Sequence, residues 1–233
     1  MKYFVIGFNK SATTTIHELF LLNNIKSQHN NIWNLEAYDA FSDNAKLDIY
    51  KELMVKYPDA IFILNFRNIK GWVLSRVNHG IIYKTIFNLD KVHEWTWNWS
   101  YPISEEGILQ RILFRNNHIK EVLNDFNDES LKDRLIILDI DNKDWIGFLC
   151  SELNLTKQFN IKYNTSNFLF NNIDNSDDGD NCAQELHEAK QTVDNLFLKI
   201  KDVPQYKCII KESNVLDDLV KLYRNNINDA DVV

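Results

Sequence analysis

Lysine, hydroxyl and small residues crowd the segment Gly7-Phe8-Asn9-Lys10-Ser11-Ala12-Thr13-Thr14-Thr15, directly after the apolar run Phe4-Val5-Ile6. An apolar-periodic stretch follows, so the segment reads as a turn between a strand and a helix. Backbone N–H groups at a helix N-terminus, the positive end of the helix dipole, one ammonium and several hydroxyls together form a cradle for a phosphate or sulfate ester. Gly7 stands three residues before Lys10, and no glycine immediately precedes the lysine. The nucleotide-kinase loop, by contrast, needs G-x-x-x-x-G-K-[ST]. A second cationic group, Arg67, follows the apolar run Ala60-Ile61-Phe62-Ile63-Leu64-Asn65-Phe66, and Ser75 comes eight residues later. A guanidinium at the end of a strand can bind a phosphate bidentately.

The first segment resembles the 5′-phosphosulfate loop of the P-loop sulfotransferases, roughly G-x-x-K/R-S-G-T-T after the first strand. Arg67 and Ser75 have the spacing of the strand-end arginine and helix serine that hold the cofactor's 3′-phosphate in that family. The wider run from Asp48 through Tyr57-Pro58-Asp59-Ala60 to Arg67 and Trp72 is similar to a signature of one subfamily. By motif, the resemblance covers about residues 3 to 155. It implies a three-layer P-loop α/β fold with a mostly parallel central sheet flanked by helices, plus C-terminal helices. It also implies sulfuryl transfer from 3′-phosphoadenosine 5′-phosphosulfate (PAPS) to a hydroxyl or amine of a small-molecule or glycan acceptor, leaving adenosine 3′,5′-bisphosphate.

On this resemblance Asn9, Lys10, Ser11, Ala12, Thr13, Thr14, Thr15, Arg67 and Ser75 bind the cofactor. Lys10 is also catalytic, on the bridging oxygen, and no metal is required. In several branches the catalytic base, often a glutamate or a histidine, lies at or after the end of the second strand, where His29 falls. A neutral imidazole suits the task because its ordinary pKa is close to working pH. Asp43 and Glu36, in the following loop, are substitutes, and a solvated loop histidine in Gln28-His29-Asn30-Asn31 is the plain alternative. The chain also departs from the pattern. Ala12 takes the place of the usual glycine, which a helix start tolerates unless the residue needs positive φ. Thr15 stands where some members have an adenine-stacking tryptophan, and the C-terminal R-K-G loop of cytosolic members has no counterpart. A catalytically degenerate sulfotransferase fold that binds a nucleotide or partner is therefore the alternative reading. A kinase-like phosphotransferase comes behind it, lacking the second glycine and a clear magnesium carboxylate.

With 233 residues, 45% hydrophobic and 12% aromatic, the chain can bury one sizeable core. A net charge of -7 argues against nucleic acid or an acidic membrane as partner. No apolar run approaches the roughly eighteen residues of a membrane span. The N-terminus enters the first strand directly, which leaves no room for a signal peptide. Cys150, Cys182 and Cys208 lack metal spacing and read as reduced thiols of a cytoplasmic protein.

Strands are predicted at Tyr3 to Ile6, Ile25 to Gln28, Ala60 to Phe66 and Arg134 to Asp139. The helices between them are predicted at Thr13 to Leu22, Leu47 to Tyr57, Lys70 to His79, Leu109 to Phe126 and Trp145 to Leu153. Strands alternating with helices imply right-handed crossovers and a mostly parallel sheet. Residues 1–170 read as one α/β domain, 171–182 as an acidic loop, and 183–233 as a helical appendage of the same domain, with helices at Ala183 to Lys201 and Val215 to Asn225. Trp95, Trp97 and Trp99, flanked by His79 and His93, read as core or capping loop more readily than as an acceptor pocket. Asp139 and Asp141 read as turn residues. The cluster Asp177 to Asp180 lacks the spacing of a calcium loop and reads as solvated.

Overall fold

The computed structural model describes residues 1–30, 34–43, 49–86, 105–157, 179–199, 203, 209 and 211–218. Trp95, Trp97, Trp99, His93, Asp177, Asp178 and Cys208 lie outside them. The chain divides into two compact units, one of Met1–Arg67, Asn117–Tyr163 and Asp218–Val233, the other of Asn68–Asn116 and Asn164–Asp217.

The first unit holds a five-stranded parallel sheet: β1 (Tyr3–Val5), β2 (Ser27–His29), β3 (Ala40–Ser42), β4 (Ile61–Phe66) and β5 (Leu135–Asp139), in the order β2-β3-β1-β4-β5. Helix α1 (Thr13–Leu22) joins β1 to β2, α2 (Tyr50–Lys56) precedes β4, and α6 (Trp145–Glu152) follows β5. Strand residues alternate between two cores. Val5, Ile63, Ile136 and Leu138 pack with Ile16, Leu19 and Phe20 of α1 and with Trp145 and Leu149 of α6. On the opposite face Phe4 stacks on Phe41 at 5.3 Å and on Phe62 at 5.4 Å, and Phe62 meets Phe126 at 5.4 Å. Helices thus cover both faces of the sheet, as fully buried parallel strands require. The expected α/β layering with a parallel sheet is what the structure has.

β3 was not among the predicted strands. At three residues, Ala40-Phe41-Ser42, it is too short to show any periodicity, and it gains its place by pairing with β1 on one side and β2 on the other.

The second unit is helical, built on α3 (Ile69–Ile86), the first part of α4 (Glu105–Asp125) and α7 (Gly179–Lys199), with residues 211–218 also helical. The short α5 (Glu129–Lys132) precedes β5 in the first unit. Asn68 starts α3 by accepting a hydrogen bond from Gly71 N at 2.9 Å, an N-cap arrangement. α3 does not stop at His79 as predicted but runs through Gly80 to Ile86. Gly80 costs about 1 kcal/mol in a helix interior, and burial of Ile81, 1% exposed, offsets that. α7 begins at Gly179, so residues 179–182 belong to its first turn rather than to the acidic loop. Leu113 of α4 is 37% exposed. The inward stripe runs Ile108, Ile112, Arg115, Ile119, Val122, and position 113 lies off it. Arg115 occupies that stripe by pairing with Asp217 at 2.5 Å.

Candidate functional site

All five strands run parallel, so their C-terminal ends fall along one edge of the sheet, where open α/β sheets bind ligands. Gly7 to Thr15 follow β1, His29 ends β2, Ser42 and Asp43 end β3, Arg67 follows β4, and Asp139 and Asp141 end β5.

The loop after β1 has an unusual backbone. Lys10 adopts φ 65 and Ala12 φ 64, both left-handed, with Ser11 between them. Such turns direct successive N–H groups into one concavity that suits an anion. Ala12 is the N-cap of α1, has no side-chain capping hydrogen bond, and no acidic residue occupies the helix's first turn. Nothing negative on the helix itself competes for its N-terminus. Ser11, Thr13 and Thr15 are buried, while Asn9, Lys10, Ala12 and Thr14 are half-buried.

The backbone at Ala12 corrects the expectation that alanine is harmless here, because this position does require positive φ. An L-residue in that region costs about 1–2 kcal/mol relative to right-handed backbone. Ala12→Gly is therefore expected to stabilise the protein by about 1 kcal/mol, after the larger entropy loss of glycine is allowed for. Urea unfolding should show a raised midpoint at constant m-value.

Three buried contacts shape the loop, and two residues that sequence reasoning missed make them. Asn65, the penultimate residue of β4 and fully buried, donates through Nδ2 to Ser11 O at 2.5 Å and to Phe8 O at 3.4 Å. His118, on α4, donates through Nε2 to Ile6 O at 2.7 Å and sets its ring edge-on to Phe8 at 5.2 Å. The available signals were a lone asparagine inside an apolar strand and a histidine beside a buried helical stripe. Gly7 is needed for close approach: a Cβ there would overlap both the carbonyl oxygen and Oδ1 of Asn65.

His29 sits beside this loop. Its Nε2 is 3.3 Å from Thr14 Oγ1 and 3.7 Å from Asp43 Oδ2, and its Nδ1 is hydrogen-bonded to Ser42 Oγ at 2.8 Å. His17, from α1, stacks on it at 5.4 Å and is itself hydrogen-bonded to Ser27 Oγ at 2.8 Å. Burial pushes the His29 pKa below its usual value; Asp43 opposes the shift, and the His17 and Lys10 charges add to it. His29 is thus neutral at working pH, with one nitrogen toward the cradle. Glu36 is exposed and accepts a hydrogen bond from Tyr57 OH at 3.0 Å.

Arg67 lies at the end of β4 with its Nε 3.5 Å from Asp141 Oδ1, both side chains about one-third exposed at 34% and 33%. Asp141, read from sequence as a turn residue, therefore also pairs with the candidate phosphate-binding arginine. Ser75 lies on α3 in the second unit, as does His79. Lys10, His29, Asp43 and Arg67 all belong to the first unit.

A family model described as a sulfotransferase domain matches residues 24–156, more than half of the chain. The chain belongs to the sulfotransferase family. The matched span takes in His29, Asp43, Arg67, Ser75 and Asp141; Lys10 and its loop lie just before it. No curated protein matches the chain. No described helix of this sulfotransferase is long and apolar enough to cross a membrane.

Proposed function

We propose that this sulfotransferase uses PAPS as donor and a hydroxyl or amine of a small-molecule or glycan as acceptor. The observation that supports this best is the loop after β1, with left-handed Lys10 and Ala12 around Ser11 at a helix N-terminus free of acidic residues in its first turn. Its donors suit a doubly charged phosphate ester. When bound, the donor supplies an activated sulfuryl group whose bond to the 5′-phosphate oxygen breaks as the bond to the acceptor forms. The amides of Ser11 to Thr14 and the hydroxyls of Ser11, Thr13 and Thr14 hold the 5′-phosphate, with Asn9 and Thr15 at the edges of the loop. The Lys10 ammonium offsets the negative charge that grows on the departing oxygen. His29 takes the acceptor's proton at Nε2, the nitrogen beside Thr14. Arg67 binds the 3′-phosphate, and Ser75 is assigned to the same group by its spacing from Arg67 alone. The proposal includes a cytoplasmic location, supported by three cysteines without metal spacing and by Cys150 as a buried free thiol.

Nucleotide discrimination tests this assignment. Adenosine 3′,5′-bisphosphate should bind more tightly than AMP, since losing a charge-assisted contact costs about 1.5–3 kcal/mol, or roughly ten- to over a hundred-fold in affinity. Arg67→Ala should remove that difference, because the strand end carrying Arg67 is partly exposed and the core is untouched. Thermal-shift titrations with adenosine 3′,5′-bisphosphate, AMP, and ATP with magnesium measure both effects. Equal binding of the first two, or a preference for ATP, overturns the assignment.

A further inference from the structure

Parallel pairing of β2 with β3 sets His29 opposite Ser42, so the sheet register itself brings a fully buried hydroxyl to Nδ1 of the imidazole, at 2.8 Å. That occupies one nitrogen and leaves Nε2 toward Thr14 of the phosphate loop, at 3.3 Å. The residue after Ser42 then takes a left-handed backbone, Asp43 at φ 57, and its Oδ2 lies 3.7 Å from the same Nε2, with the two side chains only 18% and 15% exposed. We infer that Asp43 is a positioning residue for His29, holding the imidazolium that forms when Nε2 takes up the acceptor's proton. The role rests on the assignment of His29 as the base.

The surroundings of the ring make such a partner necessary. Among the described residues, the charged and titratable groups facing His29 are Lys10 in the loop, His17 and Glu18 on α1, and Asp43 at the end of β3. Burial, His17 and Lys10 all disfavour a cation there, and Asp43 is the larger of the two groups opposing them. An imidazole left to the first three would stay neutral but would be a weak acceptor for a hydroxyl proton. With Ser42 Oγ able to accept from Nδ1–H and the Asp43 carboxylate 3.7 Å from Nε2, the imidazolium has a hydrogen-bond acceptor at one nitrogen and a counter-charge beside the other. The proton goes from acceptor to Nε2, and no other side chain of the protein need change its charge.

The test needs no acceptor. The His29 Cε1–H resonance, assigned by its loss in His29→Gln, is followed against pH by NMR in the full chain and in Asp43→Asn. Asparagine is nearly isosteric and tolerates left-handed backbone, so the variant removes charge and little else. The His29 midpoint should fall in Asp43→Asn and stay close to wild type in Asp43→Glu. With the phenol, sugar, sterol or amine that a screen identifies as acceptor, turnover of Asp43→Asn should fall about tenfold, less than the loss on removing a base. An unmoved midpoint in Asp43→Asn overturns the inference whatever His29 does, and so does a Glu variant that titrates as low as the Asn one. A moved midpoint combined with full turnover in His29→Ala instead overturns the assignment of the base on which it rests.

Discussion

His29→Ala is expected to lower turnover by about 10²–10⁴-fold, the range for loss of a general base, while changing the affinity for adenosine 3′,5′-bisphosphate little. The ring faces the loop through Thr14 at 3.3 Å, a neutral contact that adds little to binding of a charged nucleotide. Lys10→Ala should behave differently and weaken both, because in the proposed assignment one ammonium serves the bound donor and the departing oxygen. The pH dependence separates the two variants further. With His29 as the proposed base, activity needs it neutral, and burial holds its pKa below the ordinary 6.5. Wild-type turnover should therefore rise with pH through a midpoint on the acid side of that value, and His29→Ala should lose this limb. Steady-state rates across pH, with nucleotide affinities measured separately by calorimetry, check both statements. Full activity in His29→Ala would shift the role to Asp43, 3.7 Å away, before the exposed Glu36 or His79 of the second unit.

The sequence marked the ends of the strands better than the groups that connect them. Phe4-Val5-Ile6 and Ala60 to Phe66 are apolar runs, each broken by a residue capable of chemistry, so Lys10 and Arg67 could be placed at strand ends without coordinates. His29 was legible by its position after a short strand. Its partners were not, because Ser42 reaches it through the β2–β3 register and β3 gave no signal of its own. His17 reaches it only because α1 presents that turn toward β2. Asn65 and Gly7 were each visible as residue types, but their joint role depends on an interstrand distance that no spacing encodes. Ala12 shows the limit most clearly: a departure from a family's glycine was legible, and its cost was not, because φ is set by how the loop folds back on Asn65 and His118.

Gly7→Ala is the more damaging of the loop substitutions that this packing predicts. The added Cβ would overlap Asn65 at both its backbone carbonyl oxygen and its side-chain Oδ1. A flexible side chain could move aside, but the carbonyl belongs to β4, which pairs with β1 and β5 on either side. The loop must give instead, and it is held there by Asn65 Nδ2 on Ser11 O and Phe8 O and by His118 on Ile6 O. Overpacking alone costs about 1–3 kcal/mol, and each buried hydrogen bond broken adds about 1 kcal/mol or more. We therefore expect Gly7→Ala to lose about 3 kcal/mol of stability or more in urea unfolding. It should also lose measurable binding of adenosine 3′,5′-bisphosphate, since the N–H groups of Ser11 to Thr14 move with the loop. Asn65→Ala in the same chain is the discriminating control. It removes the Oδ1 overlap but leaves the carbonyl in place, so the double variant should regain neither stability nor binding. Wild-type binding in Gly7→Ala would mean that the loop's anion site does not depend on its seat against β4, and recovery in the double variant would place the conflict in the side chain rather than the strand.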